Sequence, residues 1–202
     1  MINTTIIAAF ISGVFGPIAV LGIKYYVDKR KKKPDMIAET LEVGSKVTDK
    51  MDHIKDEFKA DRVWVTQFHN GGHFYPTGKS IAKFSVIYET VDVGVGSIQS
   101  MFQNIPVNLF SKSINQLAEN DMITISDFKD ETIATYGLKY IAEDTGCKSG
   151  YLFAIKTIDG KFMGTLGLDF TKKKVKLTNE DILHLSVHAS AIGGVLSGQL
   201  DL

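Results

Sequence analysis

Cysteine occurs once in the 202 residues, at Cys147. A lone thiol excludes an internal disulfide and a cysteine-rich zinc site, and it fits a reducing compartment. Net charge is missing as well, since 23 Lys or Arg balance 23 Asp or Glu. That balance conceals a separation: residues 24–33 hold six Lys or Arg against one Asp, which leaves 17 basic and 22 acidic residues elsewhere, a net −5. A mildly acidic body offers no broad basic face to phosphate backbones, so nucleic acid is not an expected partner. Internal repeats and low-complexity tracts are also absent. Residues 62–202 have the length of one domain with a real core.

The longest absence is of charge, from Thr4 to Ile23, and it is followed by the unbroken basic block Lys29 to Lys33. At about 1.5 Å per residue, twenty helical residues cover roughly the 30 Å of a bilayer's hydrocarbon core. The basic flank follows the run, which predicts a single-pass membrane protein with its C-terminal body in the cytoplasm. A cleaved signal peptide would need charges before the run and a small-x-small site after it. A soluble amphipathic helix would need a polar face, for which Ile6, Ile7, Phe10, Val14, Phe15, Val20 and Leu21 leave no room. Ala9 with Gly13 and Ser12 with Gly16 have the small-xxx-small spacing of close helix pairs. The expected division is a transmembrane anchor over 1–27, a basic flank and helical connector over 28–60, and a folded domain over 61–202.

Within the connector, Val47, Met51, Ile54 and Phe58 are spaced 4, 3 and 4, a heptad seam. Such a seam either pairs with a second copy of the chain, giving a coiled-coil homodimer, or packs on its own domain. From Arg62 the period changes. "RVWVTQFH" alternates β-branched and aromatic residues and reads as a strand ending in a loop at Asn70 to Gly72, and "AKFSVIYETV" reads as a second strand. Helical spacing returns over 107–119, then come a short strand in "MITISDF" and a helical stretch over 132–144. "GYLFAIKTI" and "FMGTLGLDF" form a hairpin about the turn containing Gly160. Thr178 followed by Asp181 announces a final helix. This order predicts an α+β domain, one antiparallel sheet covered by helices.

Gly78-Lys79-Ser80 ends like a phosphate-binding Walker loop, but that motif needs a glycine where the chain has His73, and a helix rather than a strand after the serine. ATPase and GTPase activity are therefore not expected. His69 with His73, and His184 with His188, lie four apart. All four rings would make a metal site only if they converged; packing and loop hydrogen bonds account for them otherwise, and no metal ligand is assigned.

The segment "GCKSGYLFAIKTIDGKFMGTLGLDF" followed by "LTNEDILHLSVHASAIGGVL" resembles the C-terminal half of a GAF domain. Gly146, Lys148, Ser149, Gly160, Gly164, Leu166, Leu168, Thr178, Asp181 and Leu185 match places of that family's pattern, with Lys148 where arginine is commoner. The resemblance spans about residues 45–200, and the "FHNGGHFY" loop is similar to GAF-like domains encoded by bacteriophages. It implies a GAF/PAS-like architecture and a module that binds small molecules, such as cyclic nucleotides, haem or bilins, or that dimerises and relays signals. Fold alone does not choose among these. The cyclic-nucleotide signature of phosphodiesterase GAF domains is not found in the chain. Cys147 would be a bilin-attachment or redox thiol by analogy, or a small buried side chain before a strand.

The resemblance also implies a pocket walled by some of Trp64, Phe68, Phe74, Tyr75, Phe84, Tyr88, Phe102 and Phe110. His69, Asn70, Phe74, Tyr75, Lys83 and Asp127 are the expected ligand-binding residues, for a small, partly planar ligand of unassigned identity. The leading expectation is a non-catalytic, membrane-anchored GAF-like sensory or binding module that dimerises and recognises a small molecule or a protein. An enzyme or metal/redox site using His69, His73 and Cys147 is the first alternative, and it requires those side chains to converge. A structural or interaction factor acting at a phage host membrane, its interior filled by its own aromatics, is the second.

Overall fold

A computed structural model describes residues 13, 16–30, 35–130 and 136–198. The chain divides into two compact units, Met1–Glu39 and Thr40–Leu202. Helix α1 (Gly16–Arg30) belongs to the first. Helix α2 (Met36–Phe58) lies in the second from Thr40 onward.

The expected membrane localisation is corrected here. Helix α1 is described over the 15 residues Gly16–Arg30. It takes in Lys24, a charge that is costly within a span. Among the described residues, no helix is long and apolar enough to cross a membrane. The rest of the predicted anchor, residues 1–12 and 14–15, lies outside the described residues.

In the second unit, six strands form one antiparallel sheet in the order β3-β2-β1-β6-β5-β4. They are β1 (Arg62–His73), β2 (Ser80–Val91), β3 (Ile105–Pro106), β4 (Met122–Ile125), β5 (Ser149–Lys156) and β6 (Phe162–Phe170). Helices α3 (Ser111–Asn120), α4 (Tyr136–Thr145) and α5 (Asn179–Ser197) complete the unit. The two-residue side-chain period of the strands divides the sheet. Val63 and Val65 of β1, Tyr151, Phe153 and Ile155 of β5, and Leu166, Leu168 and Phe170 of β6 enter the main core. Val43, Val47, Met51 and Ile54 of α2 and Leu185, Ala189, Ile192 and Leu196 of α5 cover them.

The heptad seam is thereby consumed inside its own domain. Val47, Met51 and Ile54 are at most 1% exposed, so the stripe that could have made a coiled coil with a second copy is closed by the chain's own sheet. The final helix starts where Thr178 and Asp181 predict. Asp181 N–H donates to Thr178 Oγ1 (3.1 Å), and Thr178 N–H donates to Asp181 Oδ2 (2.8 Å). Thr178→Ala should cost about 1 kcal/mol, the ordinary worth of such a cap, read as a lower midpoint in urea with an unchanged slope.

Candidate functional site

The second face of the sheet carries Trp64, Thr66 and Phe68 of β1, Phe84 and Val86 of β2, Leu152 of β5, and Thr165 and Asp169 of β6. Register accounts for their convergence, since Phe68 lies opposite Phe84, Thr66 opposite Val86 and also opposite Thr165. Trp64 lies opposite Gly167, and a β-carbon at Gly167 would come 2.1 Å from the indole ring. The indole rests in the space that this glycine leaves. Helices α3 and α4 close over the face with Leu117, Leu138, Ile141 and Ala142, while Ile98 and Phe102 come from the loop after β2. That loop is fixed to the strand it follows: the backbone N–H groups of Ile98 and Gln99 donate to the Glu89 carboxylate (2.8 and 3.1 Å), and Val86 N–H donates to Phe102 O (2.8 Å).

The cavity has a volume of about 80 Å³, several times the roughly 10–15 Å³ one water requires. Its walls are almost wholly apolar, and the polar groups bordering it are largely committed to the protein. Thr66 Oγ1 accepts from Thr165 N–H (3.0 Å), Thr145 Oγ1 donates to Ile141 O (2.6 Å), and the Cys147 thiol donates to Ser149 O (3.1 Å).

One end of the cavity is ionic. Asp169 Oδ2 accepts from Arg62 Nε (2.8 Å) and from Trp64 Nε1 (3.1 Å), and Arg62 Nη2 lies 2.7 Å from the same oxygen. Arg62 Nη1 donates to Gly96 O (2.9 Å), tying this pair to the loop that carries Ile98. Nη2 meets Asp169 outside hydrogen-bond geometry and is the one buried side-chain N or O without a hydrogen bond among the described residues. Burial pushes the Asp169 carboxyl upward, and the guanidinium and indole N–H pull against it. Burial, and then the Asp169 carboxylate beside it, also push the Cys147 thiol far up. A thiol so held is a poor nucleophile.

None of the residues expected to bind a ligand is in this lining. His69, Asn70 and Lys83 stand together near the far end of the β1–β2 hairpin, His69 opposite Lys83 and Asn70 opposite Ala82, with His69 Nε2 3.0 Å from Ser85 Oγ. Phe74 and Tyr75 follow at the hairpin tip, Tyr75 96% exposed. Asp127 is paired with Lys174 (2.5 Å), which draws its carboxyl below the usual range. The trio His69, His73 and Cys147 does not assemble. Cys147 adjoins Asp169, which pairs with Arg62 at the start of β1, and His69 is seven residues along that strand, about 23 Å at the strand rise.

No family model and no curated protein matches this chain. Solved structures do. A GAF domain from Synechocystis in its photoproduct state is 15% identical, with a TM-score of 0.60 over 78% of this chain and 96% of that one. The blue-light-absorbing form of the PixJ GAF domain of Thermosynechococcus elongatus is 14% identical, with a TM-score of 0.62 over 79% and 88%. The phycocyanobilin-bound GAF domain of a cyanobacterial phytochrome is 16% identical, with a TM-score of 0.61 over 78% and 85%. The fold is GAF-like, an α+β domain with an open six-stranded antiparallel sheet flanked by helices.

Proposed function

We propose that this chain is a non-catalytic, GAF-like sensory module that holds a small apolar molecule in the cavity beneath α3 and α4. The observation that carries this reading is a partly enclosed, aromatic-lined space at the face of a GAF-like sheet, ending on a buried Arg62–Asp169 pair. Concave, mostly apolar spaces with few convergent polar groups are the usual form of small-molecule sites. The internal hydrogen bonds of Thr66, Thr145 and Cys147 leave shape and aromatic contact to do most of the recognition. The same commitments support a binding rather than a catalytic role, as does the raised thiol.

A bilin, as bound by the phytochrome neighbour, does not fit these residues. A linear tetrapyrrole with two propionates needs cationic partners and far more room. Among the described residues, the lining contains no Lys or Arg, its one acidic group is the Asp169 carboxyl, and its thiol, Cys147, is buried. The space is about half the ~150 Å³ of an apolar cavity known to admit benzene or xenon. The proposed ligand is therefore no larger than a single small ring.

Xenon is a suitable probe, because it reports dry apolar space directly. In amide-resolved NMR of the full chain, dissolved xenon should shift the signals of Thr66, Leu152 and Thr165. Ala142→Leu, which extends a 3% exposed wall residue into the space, should abolish those shifts while the chain stays folded. Unperturbed wild-type signals would remove the cavity from consideration.

A further inference from the structure

Away from the cavity, α2 and α5 each present a pair of metal-binding side chains four residues apart: His53 with Glu57, and His184 with His188. That spacing places each pair on one face of its helix, and the tertiary fold turns the two faces together. Phe58 stands edge-on to both His184 and His188, with ring centroids 6.0 and 6.2 Å apart, and wedges this junction. His53 Nε2 is 3.5 Å and His188 Nε2 3.3 Å from Glu57 Oε2, and the three ligand atoms lie within 4.8 Å of one another. His184 Nδ1 is 2.9 Å from the other carboxylate oxygen, Oε1.

We propose that His53, Glu57 and His188 form a binding site for a zinc-like divalent cation, with His184 as the residue that positions Glu57. A tetrahedral ion with bonds of about 2.0–2.2 Å sets its ligand atoms roughly 3.3–3.5 Å apart. Two of the three separations already match that value, and the third closes by side-chain rotation. Two imidazoles and one carboxylate suit zinc and its transition-metal neighbours rather than calcium or magnesium, which prefer all-oxygen shells. His53 and Glu57 are open to solvent, so the fourth position is available to water.

His184 supplies the outer partner that ligating carboxylates generally have. The half-buried His188 comes from α5 and His53 from α2, so the two imidazoles approach Glu57 from different helices. A plain ion pair explains the cluster less well. One carboxylate needs one cation, and exposed pairs contribute little, whereas here three imidazoles surround a single Glu57. The bound ion would join residues 131 apart in the chain, stapling α2 to α5.

The test uses the full chain, without a polyhistidine tag and freed of metal by a chelator. Zinc titration calorimetry should show one equivalent bound. The Tm should rise by roughly 5–10 °C at a hundredfold excess over Kd. Cobalt(II) should give the intense visible bands of a tetrahedral ion. His53→Gln and His188→Gln should each weaken zinc binding by at least about 10–100-fold, the loss that even supporting partners of metal ligands bring. His53 is the safer site for the fold, because its side chain is 69% exposed. His184→Gln should weaken binding while keeping the tetrahedral cobalt spectrum, which loss of a ligand would change. His69→Gln with His73→Gln should leave affinity unaltered. No zinc-induced Tm change in the folded chain, or binding that survives His53→Gln and vanishes with the His69/His73 variant, would overturn the proposal.

Discussion

Asp169→Ala is expected to destabilise the Thr40–Leu202 unit by about 3–5 kcal/mol, the cost of breaking a buried ion pair from one side. Arg62 is 1% exposed, and removing the carboxylate leaves its charge buried without a counter-charge, held only by the Gly96 carbonyl. Trp64 Nε1 loses its acceptor in the same step, and an unpaired buried donor adds roughly 1–3 kcal/mol of its own. Total stabilities of about 5–15 kcal/mol leave little margin for such a loss. Urea denaturation of the full chain, followed by far-UV circular dichroism, measures it as a fall in midpoint at constant slope. The companion variant Arg62→Met with Asp169→Leu should recover most of the loss, because a buried pair replaced whole by apolar groups of similar volume is often neutral. A single-variant loss below about 1 kcal/mol would mean that water reaches this pair.

Gly164→Ala has the second-largest expected effect. Gly164 lies on β6 opposite Gln67 of β1 and Ile155 of β5, with a strand on either side. A β-carbon built there would come 2.0 Å from Thr66 O, a backbone atom that cannot swing aside. Strand β1 would have to move away from β6 at the centre of the sheet. Overpacking of this kind costs about 1–3 kcal/mol and sometimes more; we expect the upper end, because the obstacle is main chain. That is a fall in Tm of roughly 6–12 °C for a domain of this size, measurable by differential scanning calorimetry. A change below about 2 °C would show that the two strands part easily there.

Gly164 was legible in the sequence as one place of the GAF-like pattern, but the reason for it was not. The obstructing carbonyl belongs to Thr66, almost a hundred residues earlier. The aromatic wall divides in the same way. Trp64, Phe68, Phe84, Phe102 and Phe110 were all named from the sequence as possible wall residues, and all five line the cavity. Tyr88, named with them, packs against the main core on the opposite face, because β1 and β2 shift register between Val65 and Thr66. Asp169 and its contact with Arg62 were missed. A signal existed: each is the one Asp, Glu, Lys or Arg of its strand, and opposite charges among core-forming residues are buried only in pairs.

The uncharged run Thr4–Ile23 and the heptad seam show the limit of local pattern. Both state that an apolar surface must be covered, and neither states by what. For the seam the answer is the chain's own sheet. For the run, no helix among the described residues is long and apolar enough to cross a membrane, and much of the run lies outside those residues.

By itself, the sequence determined the elements that depend on neighbours in the chain. Strand alternation sets the faces of β1, β5 and β6, and the Thr178–Asp181 cap starts α5, because periodicity and capping act over a few residues. Only the tertiary structure decided the meetings: Arg62 with Asp169, Glu57 with His184 and His188, and the aromatic wall with α3 and α4. Each joins residues from distant parts of the chain, which sequence spacing does not describe and which packing of the two sheet faces brings together.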